Sequence, residues 1–246
     1  MTFLIFFPIL FLVGGWVPYI YAKYIWKNTP RLAVTTTDID FGVGDKEFKG
    51  RDSVASYVRK LGYGERHVSM DRMTPFVPVV KDSSGSLKAE VEFITDPKVP
   101  KTIIYQVVGR EIEINEIENF NLLLKSVITT TIEKHKVRIP TESMFVFHKL
   151  LTFVQRENKE KLKKDLYYVY YMLRFCPSKD ELINKVNSFI KNKEQGKSVK
   201  RNLRKYFSGI DSEGPFLVEQ ENGPDEYIND LKQDIFETFN KLVLHI

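Results

Sequence analysis

Up to about residue 140 the apolar positions fall in short runs, and beyond it they recur at helical spacing. The first run is the longest, with no charged side chain from Met1 to Ala22, after which Lys23, Lys27 and Arg31 follow. Two parses fit it. One is a single membrane-spanning helix with its C-terminal side in the cytoplasm. The other starts from Pro8 and from Gly14-Gly15, which separate Ile9 to Val13 from a second run beginning at Trp16. A block that short suits a parallel strand buried on both faces, and two glycines permit a tight turn into a helix. A cleaved signal peptide is not expected, because no positive region precedes the apolar residues.

Downstream, Leu32 to Val34 and the β-branched Thr35-Thr36-Thr37 lead into Asp38-Ile39-Asp40-Phe41, a strand ended by Gly42 and Gly44. Val54, Ala55, Val58 and Leu61 predict an amphipathic helix over Arg51 to Leu61. Phe76 to Val80 and Leu87 to Ile94 predict a hairpin across the polar turn Lys81 to Ser86. Further strand-like runs occur at Thr102 to Val108, Glu111 to Ile114, Val127 to Ile132 and Val137 to Ile139. Helical periodicity then takes over in Met144 to Phe153, Leu162 to Leu173, Leu182 to Ile190 and Tyr227 to Leu242. Ser178-Lys179-Asp180-Glu181 has the form of a capping box, and Gly209 to Pro224 has the glycine and proline of a loop. The expected class is α+β: a mixed sheet with helices over residues 1–140, then a helical bundle over 141–246.

Composition narrows the chemistry. The 246 residues are 43% apolar, enough to bury a core, and Cys176 is the only cysteine. That excludes an intrachain disulfide, a multi-thiolate zinc site and a CxxC redox pair, and suits a reducing cytoplasm. His67, His135, His148 and His245 lack the spacing of a zinc site on one helix. Asp38 and Asp40 are two apart, so on a strand their carboxylates converge on one face, which is either a solvated face with two acids or a place for a cation. Hard oxygen ligands suit Mg²⁺, which usually combines one or two carboxylates with substrate phosphates. Glu90 and Glu92, again two apart, could each supply a third acid.

In order, the features are an apolar strand, Gly14-Gly15, a helix, Thr36-x-Asp38-x-Asp40 and an acid on a later strand. This set resembles the minimal nucleotidyltransferase fold, specifically the bacterial proteins that include AbiEii-like toxins and relatives of the aminoglycoside nucleotidyltransferases. Ile9 to Trp16 resembles the family's first motif, and Gly14 and Gly15 inherit from it a role in binding nucleotide phosphates. Trp16 stands where many members have serine. Thr36 to Phe41 resembles the second motif, and Val91 to Thr95 the strand with the third acid, so the resemblance favours Glu92. Lys149, Arg156 and Asp165 resemble the family's helical segment, in which Lys149 neutralises phosphate charge and Asp165 orients Lys149 or Arg156.

The resemblance implies a nucleotidyltransferase that moves a nucleoside monophosphate from an NTP to transfer RNA, a protein or a small molecule. Its catalytic residues would be Asp38, Asp40, Glu92, Lys149 and Asp165. Gly14, Gly15, Thr36 and Arg156 would bind the nucleotide, and Asp38, Asp40 and Glu92 would hold two Mg²⁺ ions. A cytoplasmic location, no membrane partner and a cognate antitoxin go with this expectation. The net charge is +5, and Lys191, Lys193, Lys197, Lys200, Arg201, Arg204 and Lys205 face only Glu194 in one short segment, which is either a solvated face or a patch for an RNA acceptor. The alternatives are a membrane-anchored cytoplasmic protein without catalysis and an inactive binding module of the same fold.

Overall fold

A computed structural model describes residues 10–27, 29–46, 52–67, 75–223, 228 and 230–243. Met1 to Ile9, with Pro8, lie outside the described residues, as do Arg51, Pro224 and Tyr227 at the ends of predicted elements. The chain divides into two compact units, the first running to Ile20 and resuming over Val34–Pro140, the second comprising Tyr21–Ala33 and the chain from Thr141 onward.

The first unit contains β1 (Leu10–Val13), α1 (Trp16–Ile20), β2 (Ile39–Val43), α2 (Val54–Lys60), β3 (Gly64–His67) and β4 (Phe76–Lys81). It continues with β5 (Leu87–Thr95), α3 (Lys101–Val107), β6 (Ile114–Glu116), α4 (Phe120–Leu124), β7 (Val127–Ile132) and β8 (His135–Pro140). Five strands lie in the order β1-β2-β5-β4-β3, and β6 also pairs with β5. The sheet is mixed: β5 runs parallel to β2 and β6, and the other pairings are antiparallel. Hairpin β7-β8 forms a separate two-stranded sheet, and β8 lies against β1.

Over its described part, the opening apolar run is strand, turn and helix. Among the described residues no helix is long and apolar enough to cross a membrane. All four residues of β1 are buried, but the strand pairs antiparallel with β2 rather than parallel as expected. The burial comes from the sheet and from β8 alongside it, so a continuous apolar block did not require parallel neighbours.

The second unit contains a π-helical segment (Tyr21–Trp26), α5 (Glu142–Thr152), α6 (Lys159–Phe175), α7 (Lys179–Asn192), α8 (Gly196–Tyr206), α9 (Glu213–Asn222) and α10 (Leu231–Val243). Trp26 secures the early segment by donating its indole N–H to Glu142 at 2.5 Å and stacking on Tyr171. Tyr167, Tyr170 and Tyr171 on α6 are fully buried, which makes the centre of this unit largely aromatic. Cys176 is buried beside Glu142, and burial first, then the neighbouring carboxylate, pushes its thiol up to about 12, where it is an inert core group.

Three local expectations are corrected. Thr102 to Val108 is not a strand: α3 covers it, burying Ile104, Val107 and Val108 at the i, i+3, i+4 spacing of a helix face. Gly209 to Pro224 is not all loop, since α9 occupies most of it. Pro215 falls in the first turn, where the missing amide has no intrahelical partner, and Gly214 lets the chain approach Tyr206, whose carbonyl a Cβ would meet at 2.5 Å. Ser178 stands at the N-cap of α7, but its hydroxyl makes no capping bond.

Candidate metal centre

Period-2 alternation along β5 sorts its side chains. Val91 and Phe93 join a core with Val43, Val54, Ala55, Val58, Val107 and Val108, so α2 and α3 cover that face of the sheet. Glu90 and Glu92 therefore point to the other face. Register brings a third acid beside them. Asp40 is the partner of Glu92 across the parallel β2-β5 pair and of Val13 across the antiparallel β1-β2 pair. Residues in register share a face, so Asp40 and Glu92 are neighbours there.

Asp38 lies one residue before β2, and three contacts hold it. Its amide donates to Thr36 Oγ1 at 3.2 Å, the Thr37 hydroxyl donates to its Oδ1 at 3.4 Å, and the Trp16 indole N–H donates to its main-chain carbonyl at 2.9 Å. Trp16 thus ties the start of α1 to the backbone of the first acid. Carboxylate oxygens of Asp38, Glu90 and Glu92 all lie within 4.8 Å of one another, and the three residues are half-buried.

Asp40 faces the glycine turn. Gly14 has φ +68°, the left-handed conformation that lets β1 turn directly into α1, and a Cβ built on it would fall 1.7 Å from Asp40 Oδ2. The missing side chain is the space the carboxylate occupies. Gly15 is buried in the same turn, and the Val17 amide donates to the Gly14 carbonyl at 3.3 Å as the helix begins.

Two neighbours partly balance the acids. Arg66 on β3 grips Glu90 with both arms of its guanidinium, at 2.7 and 2.8 Å, and Asn115 on β6 donates to Glu92 Oε2 at 3.2 Å. The bond to Glu90 raises the Arg66 pKa; burial opposes this, and the charges of Glu90, Glu113 and Glu92 add to it. Sequence reasoning missed Arg66. It sits on a four-residue strand without apolar alternation, 24 positions from its partner, and only the order of the strands reveals the pair.

In the second unit, Lys149 on α5 and Arg156, just after α5, share one carboxylate. Lys149 Nζ donates to Asp165 Oδ1, and Arg156 Nε donates to Asp165 Oδ2 at 2.9 Å. Asp165, on α6, is 4% exposed and Lys149 8%. Burial alone would push the Asp165 carboxyl up, but the charges and hydrogen bonds of Lys149 and Arg156 outweigh it and hold the group below the usual carboxylate range.

The donor set of the first unit fits a hard divalent cation. It offers half-buried carboxylates from β5 and from the segment before β2, with no thiolate or imidazole among the three residues. Asp38, Glu90 and Glu92 are the acids that meet, while Asp40 adjoins them through its register with Glu92.

No protein-family model matches the sequence, and no curated protein does. Among solved structures, the chain is similar to an antigenic nucleotidyltransferase-like protein from Paracoccidioides brasiliensis, over 78% of this chain and 84% of that one, with 15% identity and a TM-score of 0.41.

Proposed function

We propose that the protein is a Mg²⁺-dependent nucleotidyltransferase that moves a nucleoside monophosphate from an NTP to a nucleophilic group, such as a hydroxyl, on an acceptor. The observation that carries this reading is the register that sets Asp40 beside Glu92, with the Asp40 carboxylate packed over the Gly14 turn. Separate in sequence, the glycine turn, Asp40 and Glu92 adjoin one another in one sheet, which supports this reading. Such an arrangement is what the chemistry needs.

Asp38, Asp40 and Glu92 would hold the metal, with Glu90 close enough to join them. When bound, two Mg²⁺ ions stabilise charge on the attacking and leaving oxygens of a phosphoryl displacement. The acceptor oxygen bonds to the α-phosphorus, the bond to the bridging oxygen breaks, and pyrophosphate leaves. Glu92, if not spent on metal, takes the acceptor proton. Gly14 and Gly15 present backbone amides to phosphate at the turn into α1, and Thr36 fixes the loop by accepting from the Asp38 amide. In the second unit Asp165 orients both Lys149 and Arg156, keeping their charges fixed for an anionic group.

The test is incubation with α-³²P-labelled NTPs, Mg²⁺ and total cellular RNA or protein. Label should pass to one macromolecular class with the wild-type chain and be lost with Asp40→Asn, whose thermal unfolding should match wild type. Transfer that persists in Asp40→Asn defeats the assignment, as does failure to label any acceptor with any common NTP.

A further inference from the structure

The segment from Lys191 to Lys205 holds seven of the chain's 37 basic residues and one of its 32 acids; without it the net charge of +5 would fall to −1. The positive character of the protein is therefore concentrated in fifteen consecutive positions.

The fold makes a surface of them. On α8, Val199, Asn202, Leu203 and Tyr206 are buried, while Lys197, Arg201, Arg204 and Lys205 are exposed and Lys200 is half-buried beside them. At 100° per residue these cations occupy the half of the helix opposite the buried residues. The helix is firmly seated, since Asn202 Nδ2 donates to the Leu150 and Leu151 carbonyls of α5 at 3.0 and 3.3 Å. Lys191, exposed at the end of α7, and Lys193, half-buried as its C-cap, precede these cations in the chain. Among the described residues none of the seven cations forms an ion pair, whereas Arg59, Arg66, Lys149, Arg156, Arg174 and Lys232 all do.

We infer that the α7–α8 stripe is a docking surface for the phosphate backbone of double-helical RNA. The chemistry favours a polyanion whose charges repeat over the roughly 12 Å from Lys197 to Lys205. Arg201 and Arg204 suit phosphate, which a guanidinium fork binds in two-point fashion. Of the aromatic rings nearest the stripe, Tyr206 and Phe207 are buried and the half-buried Phe189 lies beneath Lys193, so no exposed ring is offered for stacking on unpaired bases and a paired strand is the better fit. A shallow helix face, with its other half packed in the protein, suits the wide, shallow minor groove of A-form RNA rather than a deep major groove that a recognition helix enters. A lipid surface fits poorly because the apolar half of α8 faces the protein core and cannot enter a bilayer. The inference goes beyond nucleotidyl transfer and does not depend on it, because binding is measured without NTP or Mg²⁺.

The experiment is fluorescence anisotropy of the full chain with a labelled RNA duplex, the DNA duplex of the same sequence, and mixed phosphatidylcholine–phosphatidylserine vesicles. With five phosphate contacts and a slope of about 0.9 per contact, RNA affinity should fall about 500-fold between 50 and 200 mM salt. Lys197→Gln, Arg201→Gln and Arg204→Gln together should leave two contacts and a fall of only about 12-fold. A control triple, Lys98→Gln, Lys134→Gln and Lys136→Gln, removes the same charge from exposed positions of the first unit and should bind as wild type does. Equal losses in the two triples, a wild-type salt slope near zero, tighter binding to DNA than to RNA, or vesicle binding without RNA binding would each overturn the proposal.

Discussion

Gly14→Ala perturbs the candidate metal centre without touching an acid. At φ +68° an L-residue is strained by ~1–2 kcal/mol. The new methyl would also fall 1.7 Å from Asp40 Oδ2 and 2.6 Å from its Cγ, so the carboxylate must swing away. Overpacking of this kind costs ~1–3 kcal/mol, for a total of ~2–5 kcal/mol against the ~5–15 kcal/mol that stabilises a typical domain. Asp40→Ala separates the two parts. It removes Oδ2 and Cγ and leaves only the Asp40 Cβ, 2.9 Å from the added methyl, so in that background Gly14→Ala should cost little more than its backbone strain. Urea unfolding of the wild type, both single variants and the double variant closes the cycle, with an expected coupling of ~1–3 kcal/mol. An additive cycle, within ~0.5 kcal/mol, would show that alanine is accommodated without moving Asp40 and would refute the account of the turn. The function gains a check from the same protein: Gly14→Ala removes no ligand, yet it should weaken Mn²⁺ binding by displacing the Asp40 carboxylate, and unchanged Mn²⁺ affinity would detach Asp40 from the metal.

Two further outcomes follow from the charged groups. Arg66 competes with any cation for Glu90 through a half-exposed pair, and such pairs contribute at most ~1 kcal/mol, so Arg66→Ala should raise Mn²⁺ affinity up to about fivefold in calorimetry; a fall in affinity would mean that Arg66 orients Glu90 as a ligand instead. Asp165→Asn should cost about 3 kcal/mol at neutral pH by leaving Lys149 buried without a full counter-charge. Because the folded Asp165 carboxyl sits below its unfolded value of about 3.9, its contribution is present above that pH and is lost as pH falls through the lower folded value. The variant should therefore differ most from wild type at neutral pH and converge on it in acid, which unfolding measured across that range will confirm or refute.

What the sequence revealed follows from the length scale of each signal. Gly14-Gly15, the alternation of Asp38 with Asp40 and that of Glu90 with Glu92 are patterns of two to five residues, and each has a conformational cause that acts within the pattern. The structure accordingly has a strand, a turn and a helix at the first, and side chains of one face at the last. Thr102 to Val108 was ambiguous for a related reason: two β-branched isoleucines outweighed a helical burial spacing that only the surrounding core makes visible. Contacts between distant positions left no local trace. Trp26 meets Glu142 across 116 positions, Arg66 meets Glu90 across 24, and the antiparallel course of β1 depends on what fills the sheet edge.

The same distinction explains why the acids alone were an incomplete guide to the centre. Asp38, Glu90 and Glu92 bring three negative charges within 4.8 Å, and Arg66 returns one positive charge from β3 at the sheet edge, reaching across β4. With Asp40 beside Glu92 the four carboxylates still exceed Arg66 by three negative charges, an excess that bound divalent cations would offset. A surface cluster of carboxylates with no such arrangement would relax by turning its side chains toward water. Here the strand register, the Trp16 bond to the Asp38 carbonyl and the bare Cα of Gly14 keep the acids in place. Their convergence is thus a property of the backbone, and on the proposed function it preorganises the centre for its cations.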